Sequence, residues 1–324
     1  MTTVLVTGVG AIIGYGILRS LRQASRPLRL IGADIFPDAV GQAWVDHFVQ
    51  APLTANADYL AWLERTIVDN GVDMVMPGIE QDLYCFAGNR SFFSRLGVAV
   101  VLNSDLLMTL TADKWLMHEE LKRIDSAARI PSFLTGDFAS FARDLGTPFL
   151  LKPRKSYASK GLVKVSTPAE FAGHSAKLGT HLMAQPVIGS DDEEYTIAVF
   201  GDGSGQAKAS IALRRRLAPD GSTAKAWVAS PPGLEGAVAS LCAHFKPVGP
   251  TNLQFRKDGA DWKLLEINPR ISSTTSIRTA FGYNESEMCV DYFVGGKTIT
   301  QPALRQGFAA RYIEDRIVYD RDHF

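Results

Sequence analysis

KLLEINPR, residues 263–270, reads as a strand with two polar side chains on one face. Residues two apart on a strand share a face. Glu266 and Asn268 therefore point one way, and Leu265 and Ile267 point into the opposite layer. Just upstream, TNLQF (251–255) alternates in the same manner, Asn252 and Gln254 against Leu253 and Phe255. The Asp258-Gly259 pair between the two runs predicts a hairpin turn. Such a hairpin gathers Gln254, Glu266 and Asn268 into a cluster of oxygen donors. Mg²⁺ takes oxygens in octahedral geometry, with one or two carboxylates plus phosphate oxygens. A half-solvated antiparallel strand with an incidental acid gives the same pattern.

Two lysines offer counter-charge for a polyphosphate. Lys152 follows Phe149-Leu150-Leu151 and precedes Pro153, at the end of a buried-type strand. Lys114 falls in the first turn of a helix running through TADKWLMHEELKRI, with Asp113 or Thr111 as its cap. The positive end of the helix dipole disfavours a cation there, so either an anion lies nearby or the lysine is an ordinary solvated one. RKSYASKG (154–161) is a polar loop whose serines and Gly161 can turn backbone N–H groups towards phosphates. QPVIG (185–189), followed by DDEEY, suits a nucleotide-base contact: extended backbone for the base edge, Val187 on the ring, Glu194 for the ribose hydroxyls. An acidic surface turn reads the same way.

The front of the chain alternates strand and helix: TVLVT, a helix over 14–24, LRLIGADI, the amphipathic YLAWLERTIVDNG, VDMVMPG, a helix through 82–95, then VAVVL. That order predicts a parallel sheet with helices on both faces. Beyond residue 105 the strands pair as antiparallel neighbours, so the fold class is α/β followed by α+β. VLVTGVGAIIGYG (4–16) resembles a dinucleotide turn, with Asp34 where a ribose acid would sit. Its spacing is G-x-G-x-x-x-G instead of G-x-G-x-x-G, and no Tyr is followed four residues later by Lys.

Composition narrows the classes further. Lys plus Arg and Asp plus Glu number 34 each, so bulk charge suggests neither a nucleic-acid nor an anionic-membrane partner. Cys85, Cys242 and Cys289 are far apart and no CxxC or HExxH occurs, which reads as buried thiols in a reducing compartment. With no secretory pattern and no apolar run of about 18 residues, the expectation is a cytoplasmic protein that does not enter a membrane.

In order along the chain, TGVGAIIG, VDMVMPGIEQD, the Asp113-Lys114 pair, LLKP and its loop, QPVIG with EEYT, NLQF and LLEINPR resemble the ATP-grasp superfamily. The likeness is to its carbamoyl-phosphate-synthetase-like carboxylate–amine ligases. It implies a Rossmann-like domain over 1–105 and an ATP-grasp domain of two subdomains, 106–183 and 184–324. It implies ATP held by Lys114 and Lys152, with the loop carrying Ser156, Ser159 and Gly161 closing as a lid. Gln185 and Val187 would lie at adenine and Glu194 at ribose. Gln254, Glu266 and Asn268 would bind one or two Mg²⁺ (or Mn²⁺), and Arg270, with Arg214 as second candidate, would stabilise the transferred phosphoryl group. The front glycines, Gly10 among them, would shape a turn beside the substrate cleft and hold no NAD. Arg278 would pair with a substrate carboxylate, and Glu80 and Asp82 with an amino group. Small-molecule carboxylate and amine substrates follow, and such enzymes are often homodimers. The chain departs from the pattern in a glycine-poor lid and in glutamines at 185 and 254 where glutamate is commoner, which leaves Glu266 as the one carboxylate for both metals. An NAD-dependent oxidoreductase and a non-catalytic ATP-binding regulator are the competing functions.

Overall fold

A computed structural model describes residues 1–155 and 161–319. Among these residues the strands form three sheets. The first contains β1 (Thr2–Thr7), β2 (Leu28–Asp34), β3 (His47–Gln50), β4 (Met74–Met76) and β5 (Ala99–Val100), in the order β3-β2-β1-β4-β5. All its pairings are parallel. The second, small and antiparallel, contains β6 (Phe149–Pro153), β7 (Val163–Val165) and β8 (Leu182–Pro186), with β6 in the middle. The third contains β9 (Glu194–Asp202), β10 (Ala207–Leu217), β11 (Thr223–Val228), β12 (Val248–Asp258), β13 (Asp261–Asn268) and β14 (Phe308–Ala310). Its order is β13-β12-β9-β10-β11-β14, antiparallel throughout.

Alternation explains how the layers meet. On β1, Leu5 faces a core made with the helices Tyr59–Asn70, Glu80–Gly88 and Arg90–Leu96. Val4 and Val6 face the other way, into a core that includes the helix Ile12–Leu21 and Ala198, Phe200, Ile211 and Leu213 of the third sheet. The parallel and the six-stranded sheets thus share one apolar layer. Behind the six-stranded sheet, Ile197, Val199, Leu253 and Phe255 pack with the helices Lys114–Arg123 and Leu234–Phe245. The small sheet has a separate core of Phe141, Phe149, Leu151, Val165, Phe171 and Leu182.

The glycine turn at the front is packed shut. A Cβ on Gly14 would lie 2.1 Å from the Gly8 carbonyl oxygen, and one on Gly78 2.2 Å from that of Thr7. The backbones of β1, the following helix and the segment after β4 therefore touch directly, which requires glycine.

Candidate functional site

The β12–β13 register sets the centre of the site. Gln254 lies opposite Glu266 and Asn252 opposite Asn268, so the hairpin brings the oxygen donors together. One residue on is a bulge: the pairing passes from Gln254–Glu266 to Phe255–Leu264. The expectation that Leu265 points into the opposite layer is corrected by this irregularity. Leu264 and Ile267 fill the core, while Leu265 lines the cleft and its carbonyl accepts a hydrogen bond from Lys152 Nζ at 3.0 Å. Bulges re-aim side chains in this way and leave backbone groups for other partners.

In front of these strands lies a cleft of about 550 Å³. Lys114 and Lys152 line it, as do Gln185, Val187 and Glu194, and the segments that follow β1 and β4 supply Ile12, Gly78 and Glu80. The lysines come from different elements. Asp113 caps the helix Lys114–Arg123 by accepting from the Trp115 N–H, and it also takes two hydrogen bonds from Arg154, at 3.2 and 2.7 Å. The Lys114 backbone N–H donates to the Arg154 carbonyl. Helix start and strand end are thereby fastened to each other, and the two ammonium groups meet neighbouring positions of β13, Lys114 at the Glu266 carboxylate and Lys152 at the Leu265 carbonyl.

Lys114 Nζ lies 3.3 Å from Glu266 Oε1, with the two side chains 13% and 24% exposed. Burial raises the pKa of the Glu266 carboxyl, but Lys114, Lys152 and Arg270 outweigh it and hold the group below its ordinary value. Burial is also the main influence on Lys152; opposed by Glu266 and reinforced by Lys114, it brings that ammonium down to about 8. Glu266 is therefore an ionised acceptor facing a cleft that Lys114, Lys152, Arg215, Arg256 and Arg270 line on the cationic side, with Glu80 and Glu194 each taken up by an arginine. Among the described residues no three His, Cys, Asp or Glu gather as a metal cluster. The donor set is one carboxylate flanked by amides, which fits a hard cation completed by phosphate oxygens.

Other expected residues fall into place unevenly. Gln185 lines the cleft and donates to Ser132 Oγ at 2.7 Å, and Val187 lies 38% exposed on the same wall. Arg270 borders the cleft, paired with Glu80 at 2.6 Å. Glu194 is on the wall but is not a free acceptor. Arg215 contributes two N–H contacts to its Oε1, and Arg256 two to its Oε2. A carboxylate has about four acceptor positions. Ser156 and Ser159 lie outside the described residues. Gly161, at φ +76°, is exposed, and its neighbour Leu162 lines the cleft.

Four expectations are corrected. Arg214 points outward and donates to the Asp192 carbonyl, while Arg215, one residue on, is the one turned to the cleft. Arg278 does not reach the cleft: it is fully buried, donating to Glu285, Thr196 and Asn252. Asp82 is buried too, accepting from Thr54 and Tyr59. Gly10 gives its N–H to Asp34 at 2.6 Å, and Asp34 also accepts from Phe36. The acid that would meet a ribose instead closes the glycine turn onto β2.

Arg215 was legible by phase. Ile211 and Leu213 are the apolar beats of β10, and Arg215 continues them. The Asp113–Arg154 fastening had no sequence signal beyond the cap itself, since its partners lie 41 residues apart.

Comparison with known proteins gives concordant matches. A family profile described as "ATP-grasp in the biosynthetic pathway with Ter operon" matches residues 180–316. A D-alanine–D-alanine ligase of Halorhodospira halophila is 29% identical over 194 residues, 53% of this chain and 61% of the relative. The match thus spans less than two thirds of that curated relative. N5-carboxyaminoimidazole synthetase from Staphylococcus aureus superposes with a TM-score of 0.72 at 15% identity, covering 94% of this chain and 80% of the other. The biotin carboxylase domain of Hydrogenobacter thermophilus 2-oxoglutarate carboxylase, solved with MgADP, ADP and bicarbonate, gives 0.69 at 15% identity over 95% and 73%.

Proposed function

We propose that this chain, whose residues 180–316 match an ATP-grasp family profile, is an ATP-grasp enzyme: an ATP- and Mg²⁺-dependent ligase that activates a carboxylate as an acyl phosphate and joins it to an amine. One observation carries this reading: Glu266 faces the cleft while Lys114 and Lys152, from two other elements, converge on it and on the adjoining carbonyl. Phosphoryl transfer is chiefly positioning and charge neutralisation, and this arrangement supplies both. Lys114 and Lys152 hold phosphate oxygens. Gln185 and the backbone near Val187 meet the base. Glu266, between its amide neighbours, is the place for Mg²⁺, which when bound draws charge from the phosphates. The substrate carboxylate attacks the γ-phosphorus and releases ADP. The amine then attacks the acyl carbon, phosphate departs, and an amide forms. Arg270, beside the cleft, steadies the transferred phosphoryl group, and Glu80 holds that guanidinium in place. The carboxylate and amine enter from the front-sheet side, past Ile12 and Gly78.

The test is an ADP-release screen over carboxylates paired with amines, amino acids and amino sugars first. A productive pair is expected, and Glu266→Ala should lower its rate at least ~10²-fold with an unchanged circular dichroism spectrum. Undiminished turnover in that variant would remove Glu266 from the mechanism.

A further inference from the structure

The amide oxygens beside Glu266 are already engaged. Arg215 Nη2 lies 2.9 Å from Gln254 Oε1. A guanidinium has donors only, so the atom facing it must be the amide oxygen, the one atom of Gln254 able to bind a metal. Arg215 is itself fixed: it is buried, and it donates to Glu194 twice and to Thr223. Glu194, its one buried carboxylate partner, is shared with Arg256, whose other partner Asp191 is solvent-exposed and so screened, which leaves Arg215 a cation towards the cleft. A divalent ion on the remaining lone pair of Gln254 would sit against this cation. On the other side of Glu266, Asn268 Oδ1 accepts from Arg270 Nη2 at 3.1 Å, and Arg270 is held by Glu80. Glu266 is the one donor of the three whose oxygens are opposed by a flexible lysine instead of a guanidinium.

We infer that this site takes a single divalent cation, through Glu266, and that Arg215 supplies at Gln254 the positive charge a second ion would bring. This rests on the nucleotide reading above and deepens it. Arg215 is thus a positioning residue for Gln254 and a counter-charge on the phosphate side of the cleft.

The measurement is the Mn²⁺ to ADP ratio on the protein at saturating Mn²⁺ and ADP, read by equilibrium dialysis with each species quantified separately. The native chain should give one to one. Arg215→Met, which keeps the bulk and removes the charge, should raise the ratio towards two to one. A native ratio of two to one, or an unchanged ratio in a folded Arg215→Met, would overturn the inference. If Arg215→Met does not fold, the native ratio decides it alone. Failure of the native chain to take up ADP at all is a separate outcome, and it would overturn the nucleotide reading on which the inference stands.

Discussion

At the scale of single residues, Lys152 is the group whose chemistry the fold changes most. Its depressed pKa, about 8, means the unliganded protein carries this charge below pH 8 and loses it above. A polyphosphate favours the ammonium form, so nucleotide binding near pH 8 should take up a proton. Calorimetry of ADP binding in two buffers of different ionisation enthalpy should show that uptake, and Lys152→Arg should abolish it. The sign for stability is opposite to that of a salt-bridged lysine. The folded value lies below the ordinary 10.5, so protonation opposes folding, and that penalty fades as pH rises from about 8 towards 10.5. Arg278 gives the second prediction at this scale. It is 0% exposed and its partner Glu285 1%. Removing one member of a buried pair typically costs about 3–5 kcal/mol, so Glu285→Gln should lower the urea midpoint sharply with no change in slope. No sequence pattern announces this pair: an arginine on a polar helix is ordinarily exposed, and only tertiary packing around Thr196 and Asn252 hides it.

At the scale of elements, strand alternation carried most of the legible information. The polar beats of β12 and β13 placed Gln254, Glu266 and Asn268 on one face, and the apolar beats placed the core behind them. The bulge at Leu265 broke that inference locally, because an extra residue in a strand leaves no mark in an apolar run. Arg214 was misread for Arg215 because three consecutive arginines hide the period of two. Of the two caps expected for the helix that begins near Lys114, Asp113 is the one used, and Thr111 instead ends a preceding helix, Asp105–Thr111. Losing that cap should cost about 1–2 kcal/mol. Asp113→Ala should therefore destabilise the chain by at least that much and weaken ADP binding. Asp113→Asn retains the cap and loses the ion pair with Arg154, so comparing the two by urea denaturation and ADP titration separates the contributions.

At the scale of the whole molecule, the parallel sheet and the six-stranded sheet share a core, whereas the small sheet keeps its own. Regions with separate apolar clusters open independently. Amides of β6, β7 and β8 should exchange with deuterium before those of β1 and β9, which should exchange as one unit. This merging was the part of the fold least visible in the sequence: local periodicity specifies each sheet but not which faces meet. The fastening of Arg154 to Asp113 then has a mechanical consequence. If the small sheet swings as a body, Arg154 is its pivot, two positions from Lys152. Displacement grows with distance from a pivot, so Lys152 would keep its place beside Glu266 while the parts of the small sheet farther from Arg154 sweep the wider arc.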